Sequence, residues 1–223
     1  MKTILPFLTQ ITENNTKAWF DAHKSEYLAA NAEFNAFVEK LIIGISAFDP
    51  SIKGLTVKDC TYRFNRDIRF SHNKSPYKTH FGAYISPYGK KSGYAGYYFH
   101  IEPKGDNFLG GNIMATGLYN PQPELLKSIR EEIYLNGDTY EAVVREAKSF
   151  VLKDDQALKR VPKGYPADFI YAEYLKIKNH NLSKSFDNDI LLSEDLLEKT
   201  LAGYRETVSF NNWLNKAVKY ALE

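Results

Sequence analysis

A single cysteine, Cys60, stands in 223 residues, so no intrachain disulfide can form and the disulfide-stapled secreted scaffolds are excluded. Long apolar runs are missing too. The opening Met1-Lys2-Thr3-Ile4-Leu5-Pro6-Phe7-Leu8 carries one cation and a short hydrophobic run broken by Pro6. It is too short for a signal-peptide core and has no small-residue cleavage site, and no later stretch approaches membrane-spanning length. The expectation is a soluble, cytoplasmic protein with no membrane partner. Strong net charge is also lacking. Lys and Arg number 29 against 27 Asp and Glu, giving +2 and a pI near 8.4, short of the basic balance of a nucleic-acid module. Several motif classes are absent as well: no H-E-x-x-H, C-x-x-C or H-x-H for a metal, no G-x-S-x-G serine elbow, and no G-x-G-x-x-G or G-K-[ST] phosphate loop.

What is present is an ordinary globular composition, 43% hydrophobic and 25% charged, on a chain long enough to bury a sizeable core. No repeat, low-complexity tract or linker divides it, so one domain spanning residues 1–223 is expected. Tyrosine is the commonest aromatic, 16 against 2 Trp; it serves equally in half-buried packing and at binding surfaces.

Charge is unevenly placed. Between Cys60 and His80, Arg63, Arg66, Arg69, Lys74 and Lys78 stand against Asp67 alone, a formal +4 in a chain of +2. A local field of that sign favours an anionic partner, and guanidinium forks grip phosphate or carboxylate bidentately. The other reading is structural, with Asp67 pairing with Arg66, Arg69 or a more distant cation to hold a loop.

Within this stretch Arg63, Arg66, Asp67, Arg69, Phe70, Asn73, Lys74 and Tyr77 run in order as R-x-x-R-D-x-R-F-x-x-N-K-x-x-Y. This resembles the signature of a bacterial family catalogued as domain of unknown function 2461. Pro76 to Thr79, Gly93 to Pro103 and Lys159 to Tyr165 also look like that family, so the similarity covers nearly the full length. The resemblance implies the extent of the domain and draws attention to these residues; it implies no chemistry.

Periodicity supplies the rest. Phe20, His23, Tyr27, Ala30, Phe34, Phe37 and Leu41 share one helical face over residues 16–48, with Asn14, Asn15 or Thr16 as N-cap and a break near 30–33. His23 reads as a core histidine. From residue 58 to 114 the period becomes two. Cys60, Tyr62 and Phe64 alternate inward as a first strand, residues 71–78 form a loop, and 80–86 and 94–102 form an antiparallel pair. The glycine-rich 105–117 reads as turns. Helices follow over 121–134, 139–150, 167–177, 193–205 and 210–222, with a further strand over about 179–186 and an irregular basic segment at 159–166. The fold class is therefore α+β, a mainly antiparallel sheet over about 58–114 packed by N-terminal and C-terminal helices.

Alternation places candidate chemistry. With Phe81, Ala83, Ile85, Tyr97, Phe99 and Ile101 inward, one outer face gathers Arg63, His80, Tyr84, Tyr98, His100 and Glu102; alternatively this is a solvated or helix-covered polar face. The candidate catalytic pair is His100 as general base with Glu102 as orienting carboxylate. The candidate anion-binding set is Arg63, Arg66, Asp67, Arg69, Lys74, Tyr77, Lys78, His80 and Tyr98. His80, His100 and Glu102 also have the composition of a metal triad, but without a recognised spacing, so no metal ligand and no cofactor is assigned. The expected role is binding of an anionic small molecule, as an enzyme on a phosphorylated or carboxylated compound. The alternative is a non-catalytic module for nucleic acid or a protein partner. No sequence feature sets the oligomeric state.

Overall fold

The computed structural model describes residues 1–105 and 108–223. Its sheet has five strands, β1 (Phe81–Ile85), β2 (Gly96–Ile101), β3 (Asn112–Gly117), β4 (Val151–Leu152) and β5 (Asn181–Phe186), in the order β1-β2-β3-β5-β4 with every pairing antiparallel. Together with the helices below this is an α+β fold. The strand expected at 58–64 is not formed. Thr56 and Asp59 make a capping box, with the Thr56 N–H and hydroxyl donating to the Asp59 carboxylate at 2.8 and 2.7 Å. That box starts a one-turn helix, α4 (Val57–Cys60), and the segment's backbone then meets the sheet at a single bridge from Thr61 to Ala83. Arg63 therefore lies on irregular, exposed backbone and not on a strand. The turns expected at 105–117 also give way in part, since residues 112–117 are β3. The glycines there hid a strand whose apolar Ile113 and Met114 pair with His100 and Phe99.

Helices cover one face of this sheet. The N-terminal segment is α1 (Ile4–Glu13), and the long helix expected from residue 16 is two, α2 (Lys17–Ala22) and α3 (Lys24–Ser46), broken at His23. Thr16 caps α2 by accepting from the Trp19 N–H at 3.3 Å. His23 marks the break because its ring stacks on Trp19 at 4.0 Å while its Nδ1 sits 2.8 Å from the Trp19 carbonyl. Farther on, α5 (Pro123–Glu146) is kinked at Asn136, whose φ of −137° and ψ of 42° leave the helical region; this matches the two segments read from the sequence. The short helices α6 (Ala172–Lys176) and α7 (Asn188–Leu191) precede α8 (Leu196–Arg205) and α9 (Val208–Leu222).

Packing follows from strand alternation. Phe81, Ala83, Ile85, Tyr97, Phe99, Ile101, Met114 and Leu182 are buried. Phe34 and Phe37 of α3 meet Phe81 and Phe99 at 5.2 and 4.9 Å, and Tyr204 of α8 meets Tyr97 at 5.2 Å. Gly117, at φ +102°, lets Phe210 of α9 and the His180 carbonyl close on β3, since a Cβ there would lie 2.8 and 2.2 Å from them. Burying side chains of this size contributes about 1.5–3 kcal/mol each, and it fixes the register that aligns the opposite face. There Tyr84, Tyr98, Ala115 and Ser183 form one row across the strands, and Gly82, His100, Ile113 and Ser185 the next. Among the described residues no helix is long and apolar enough to cross a membrane.

Candidate functional site

The arginine stretch folds into a loop that largely satisfies itself. Its base is closed by the bridge Asn65↔Tyr77 and by backbone bonds from Arg66 to Pro76 and from Lys78 to Phe64, at 2.9 and 3.0 Å. Tyr77 is only 6% exposed and stacks on Phe20 at 4.0 Å. Asn15 pins it further, its side-chain amide donating to the Tyr77 carbonyl and accepting from the Tyr77 N–H, both at 3.0 Å. Inside the loop Arg69 grips Asp67 with Nε and Nη2 at 3.0 and 2.7 Å, a bidentate pair. Those contacts hold the Asp67 carboxyl below its ordinary range. Arg66 donates to the Ser75 carbonyl at 3.0 Å, Lys74 to the Ile68 carbonyl at 3.1 Å, and the Ser75 N–H to the Asn73 side chain at 2.9 Å. Phe70, by contrast, is 93% exposed.

Two cations of the stretch stand apart from that network. Arg63 is exposed and, among the described residues, has no hydrogen-bond or ion-pair partner. Lys78 lies over the Tyr62 ring at 5.2 Å, a cation–π contact. Its pKa is lowered by burial and by the nearby Arg63 charge. Tyr62, expected inward, is 46% exposed because α4 replaces the strand that would have turned it in.

Next to these cations the sheet carries a connected polar chain. The β1–β2 register sets Gly82 opposite His100 and Tyr84 opposite Tyr98, so His80, Tyr98, His100 and Glu102 project from one face as alternation requires. His100 and Glu102 are both 0% exposed. His100 Nε2 lies 3.3 Å from Glu102 Oε2, and His100 Nδ1 lies 2.9 Å from the Tyr98 hydroxyl. Glu102 also accepts from the backbone N–H groups of Phe108, Leu109 and Gly110 at 2.6, 2.7 and 3.0 Å. Burial opposes its ionisation, but the hydrogen bonds from His100, Leu109 and Phe108 outweigh that and lower the carboxyl to about 2. An ionised carboxylate only accepts, so Nε2 is the donor. In the neutral ring that leaves the Nδ1 lone pair to accept from Tyr98. Burial raises the Tyr98 phenol, which keeps its proton available for that bond. Gly82 makes room for the arrangement, because a Cβ there would lie 2.7 Å from the Tyr98 oxygen.

His80 flanks this chain. Its ring lies 4.8 Å from His100 and stacks on Phe108 at 5.0 Å, and its Nδ1 is sealed from solvent with no hydrogen-bond partner among the described residues. Burial, the neighbouring His100 and the charges of Lys78 and Arg66 lower its pKa to about 3, with Glu102 opposing. The basic stretch runs straight into this face, since Lys78 precedes His80 by two residues just before β1. Cys60 is buried and its thiol is pushed up to about 12 by burial, as suits a packing residue. Hollows of about 380 and 340 Å³ lie elsewhere, one beside Leu197, Leu201 and Arg205 and one beside Met1, Glu33 and Lys40.

Of the residues singled out in the sequence, the fold brings His80, Tyr98, His100 and Glu102 together with Lys78. It ties Arg66, Asp67, Arg69 and Lys74 into the loop, and it sets Tyr77 in the core. Sequence reasoning missed Tyr62 and the 108–110 backbone. The first was masked by false strand alternation, and the second had no signal, because a backbone N–H carries no sequence signature. A family model described as Conserved hypothetical protein (DUF2461) matches residues 3–213 of the 223. No curated protein and no solved structure matches the chain.

Proposed function

The chain belongs to the DUF2461 family of conserved hypothetical proteins, and on that premise we propose that it binds an anionic small molecule, phosphorylated or carboxylated, against the β1–β2 face and transfers a proton on it. The carrying observation is the chain Tyr98–His100–Glu102, with contacts of 2.9 and 3.3 Å, flanked at 4.8 Å by His80, on which the Lys78 charge acts, with Arg63 in turn close to Lys78. In this reading the substrate's anionic group sits on the Lys78 ammonium and the Arg63 guanidinium, which among the described residues have no hydrogen-bond acceptor of their own. A substrate proton passes to the Tyr98 oxygen as the Tyr98 proton passes to His100 Nδ1. The imidazolium so formed keeps its Nε2–H on the Glu102 carboxylate, whose backbone donors fix it in place.

The test is a thermal-shift comparison of phosphorylated and carboxylated small molecules with single-stranded oligonucleotides, on the wild type and on Arg63→Ala/Lys78→Ala. Small anions should raise Tm for the wild type and not for the double variant. Tm gains confined to long polyanions and falling steeply with salt would overturn the small-molecule reading in favour of nucleic acid.

A further inference from the structure

His80, His100 and Glu102 have a property the proton relay does not use. One ligand-type atom from each, a ring nitrogen from either histidine and a carboxylate oxygen, lie within 4.8 Å of one another. Donors that share one ion at about 2.0–2.2 Å are themselves roughly 3–3.5 Å apart. His100 Nε2 and Glu102 Oε2 already meet that spacing at 3.3 Å, so only His80 has to close in, by about 1.5 Å. His80 is the member with an unmet need: its enclosed Nδ1 has no partner among the described residues, a rare condition for a buried polar atom. Glu102 is held from behind by the Phe108, Leu109 and Gly110 N–H groups. His100 is held through its other nitrogen by Tyr98. Ligands oriented in this way by outer partners are the usual construction of protein metal centres.

We infer that His80, His100 and Glu102 form a binding site for one divalent transition-metal ion, with two imidazoles and one carboxylate on one side and the remaining positions open. This donor set suits Zn²⁺ or Fe²⁺ and is too rich in nitrogen for Ca²⁺ or Mg²⁺. Binding exchanges the two faces of His100. Nε2 gives up its proton to coordinate the ion, Nδ1 takes up a proton and donates to the Tyr98 oxygen, and the Tyr98 hydrogen turns away, so the ring remains neutral. The relay and the metal centre share His100 and Glu102 and are thus alternative states of that pair. The site requires neither Lys78 nor Arg63, so it stands or falls separately from the anion reading.

Chelator-treated full-length protein titrated with Co²⁺ alone, in a buffer without phosphate or carboxylate, tests the inference. One Co²⁺ per chain should bind with visible ligand-field absorption, displaceable by Zn²⁺. His80→Gln should weaken binding by about 100-fold or more, and Tyr98→Phe, which removes only the outer partner, by about 10-fold. His80→Gln is half-buried and leaves the Glu102 contacts intact, so its metal-free circular dichroism should match the wild type. As a readout that needs no variant, ¹⁵N spectra of the wild type with Zn²⁺ should shift one ring nitrogen of each of His80 and His100. Absence of saturable one-to-one binding, undiminished affinity in folded His80→Gln, or unshifted ring nitrogens would overturn the site. Arg63→Ala/Lys78→Ala should bind Co²⁺ like the wild type, which separates this outcome from that of the anion test.

Discussion

The loop over residues 63–77 and the polar chain on the β1–β2 face sit side by side and use their charges in opposite ways. The loop is largely exposed, and three of its four cations close on groups within it: Arg69 on Asp67, Arg66 on the Ser75 carbonyl, Lys74 on the Ile68 carbonyl. On the sheet face the polar groups are buried and aligned end to end, and one ring nitrogen is left over. A compact run of charged residues close in sequence can satisfy itself locally. Groups brought together by strand pairing are held by the whole core and so keep a fixed geometry. The contrast assigns architecture to most of the arginine stretch and chemistry to the residues just beyond it.

The contrast breaks most visibly at Glu102. Glu102→Ala removes the acceptor for buried His100 and for three backbone N–H groups of the exposed 108–110 segment, and should cost about 3 kcal/mol in urea denaturation. A loss below about 1 kcal/mol would mean that the carboxylate is not the anchor of the 108–110 segment. Next in size is a pH effect from the far side of the sheet. His180 is fully buried, its Nδ1 lies 2.8 Å from the Tyr140 hydroxyl, and burial, with Arg130 adding and Asp154 opposing, lowers its pKa to about 3. Between pH 6.5 and that value the unfolded chain binds a proton there and the native one does not, so stability falls as pH falls, by about 1.4 kcal/mol per unit. His180→Gln should flatten the wild-type slope by that amount, as followed by denaturation at several pH values. Glu102 adds to the acid loss only lower down. Its pKa is depressed, so its contribution is present above about pH 4.5 and is lost as the pH falls toward 2.

A subtler way to sharpen the comparison is Gly82→Ala. The new methyl meets the Tyr98 oxygen at 2.7 Å, at the end of a side chain that can move. It should cost about 1 kcal/mol while breaking the Tyr98–His100 contact, seen as a change in the His100 ring ¹⁵N shifts; an unchanged spectrum would show that the hydroxyl is not held there. The smallest effect belongs to the loop. Arg69→Ala leaves Asp67 in water, and the urea midpoint should stay within error, because exposed pairs contribute little.

How much was legible beforehand follows the same division. The strand pair 81–85 and 96–101 and its two faces were readable because alternation there is strict, and residue type narrowed the N-cap to Asn14, Asn15 or Thr16, of which folding selects Thr16. The kink at Asn136 fell between two separate apolar patterns. What escaped was set by local chemistry that outweighed periodicity. The Thr56–Asp59 box made a helix out of an alternating Cys60-x-Tyr62-x-Phe64, and glycines around β3 imitated turns. For the site, His80, Tyr98, His100 and Glu102 could be gathered by parity alone. Which arginines remained without partners could not, because Asp67 has three arginines within four residues and only folding selects Arg69.

The most direct test follows the imidazole and backbone ¹⁵N signals of the metal-free protein while inorganic phosphate is added. The account predicts that the His80 and His100 ring signals shift saturably, that the amides of residues 67–74 stay put, and that Lys78→Ala abolishes the response. Phosphate moving the 67–74 amides and leaving both rings untouched would contradict it, and would return the anion site to the arginine loop.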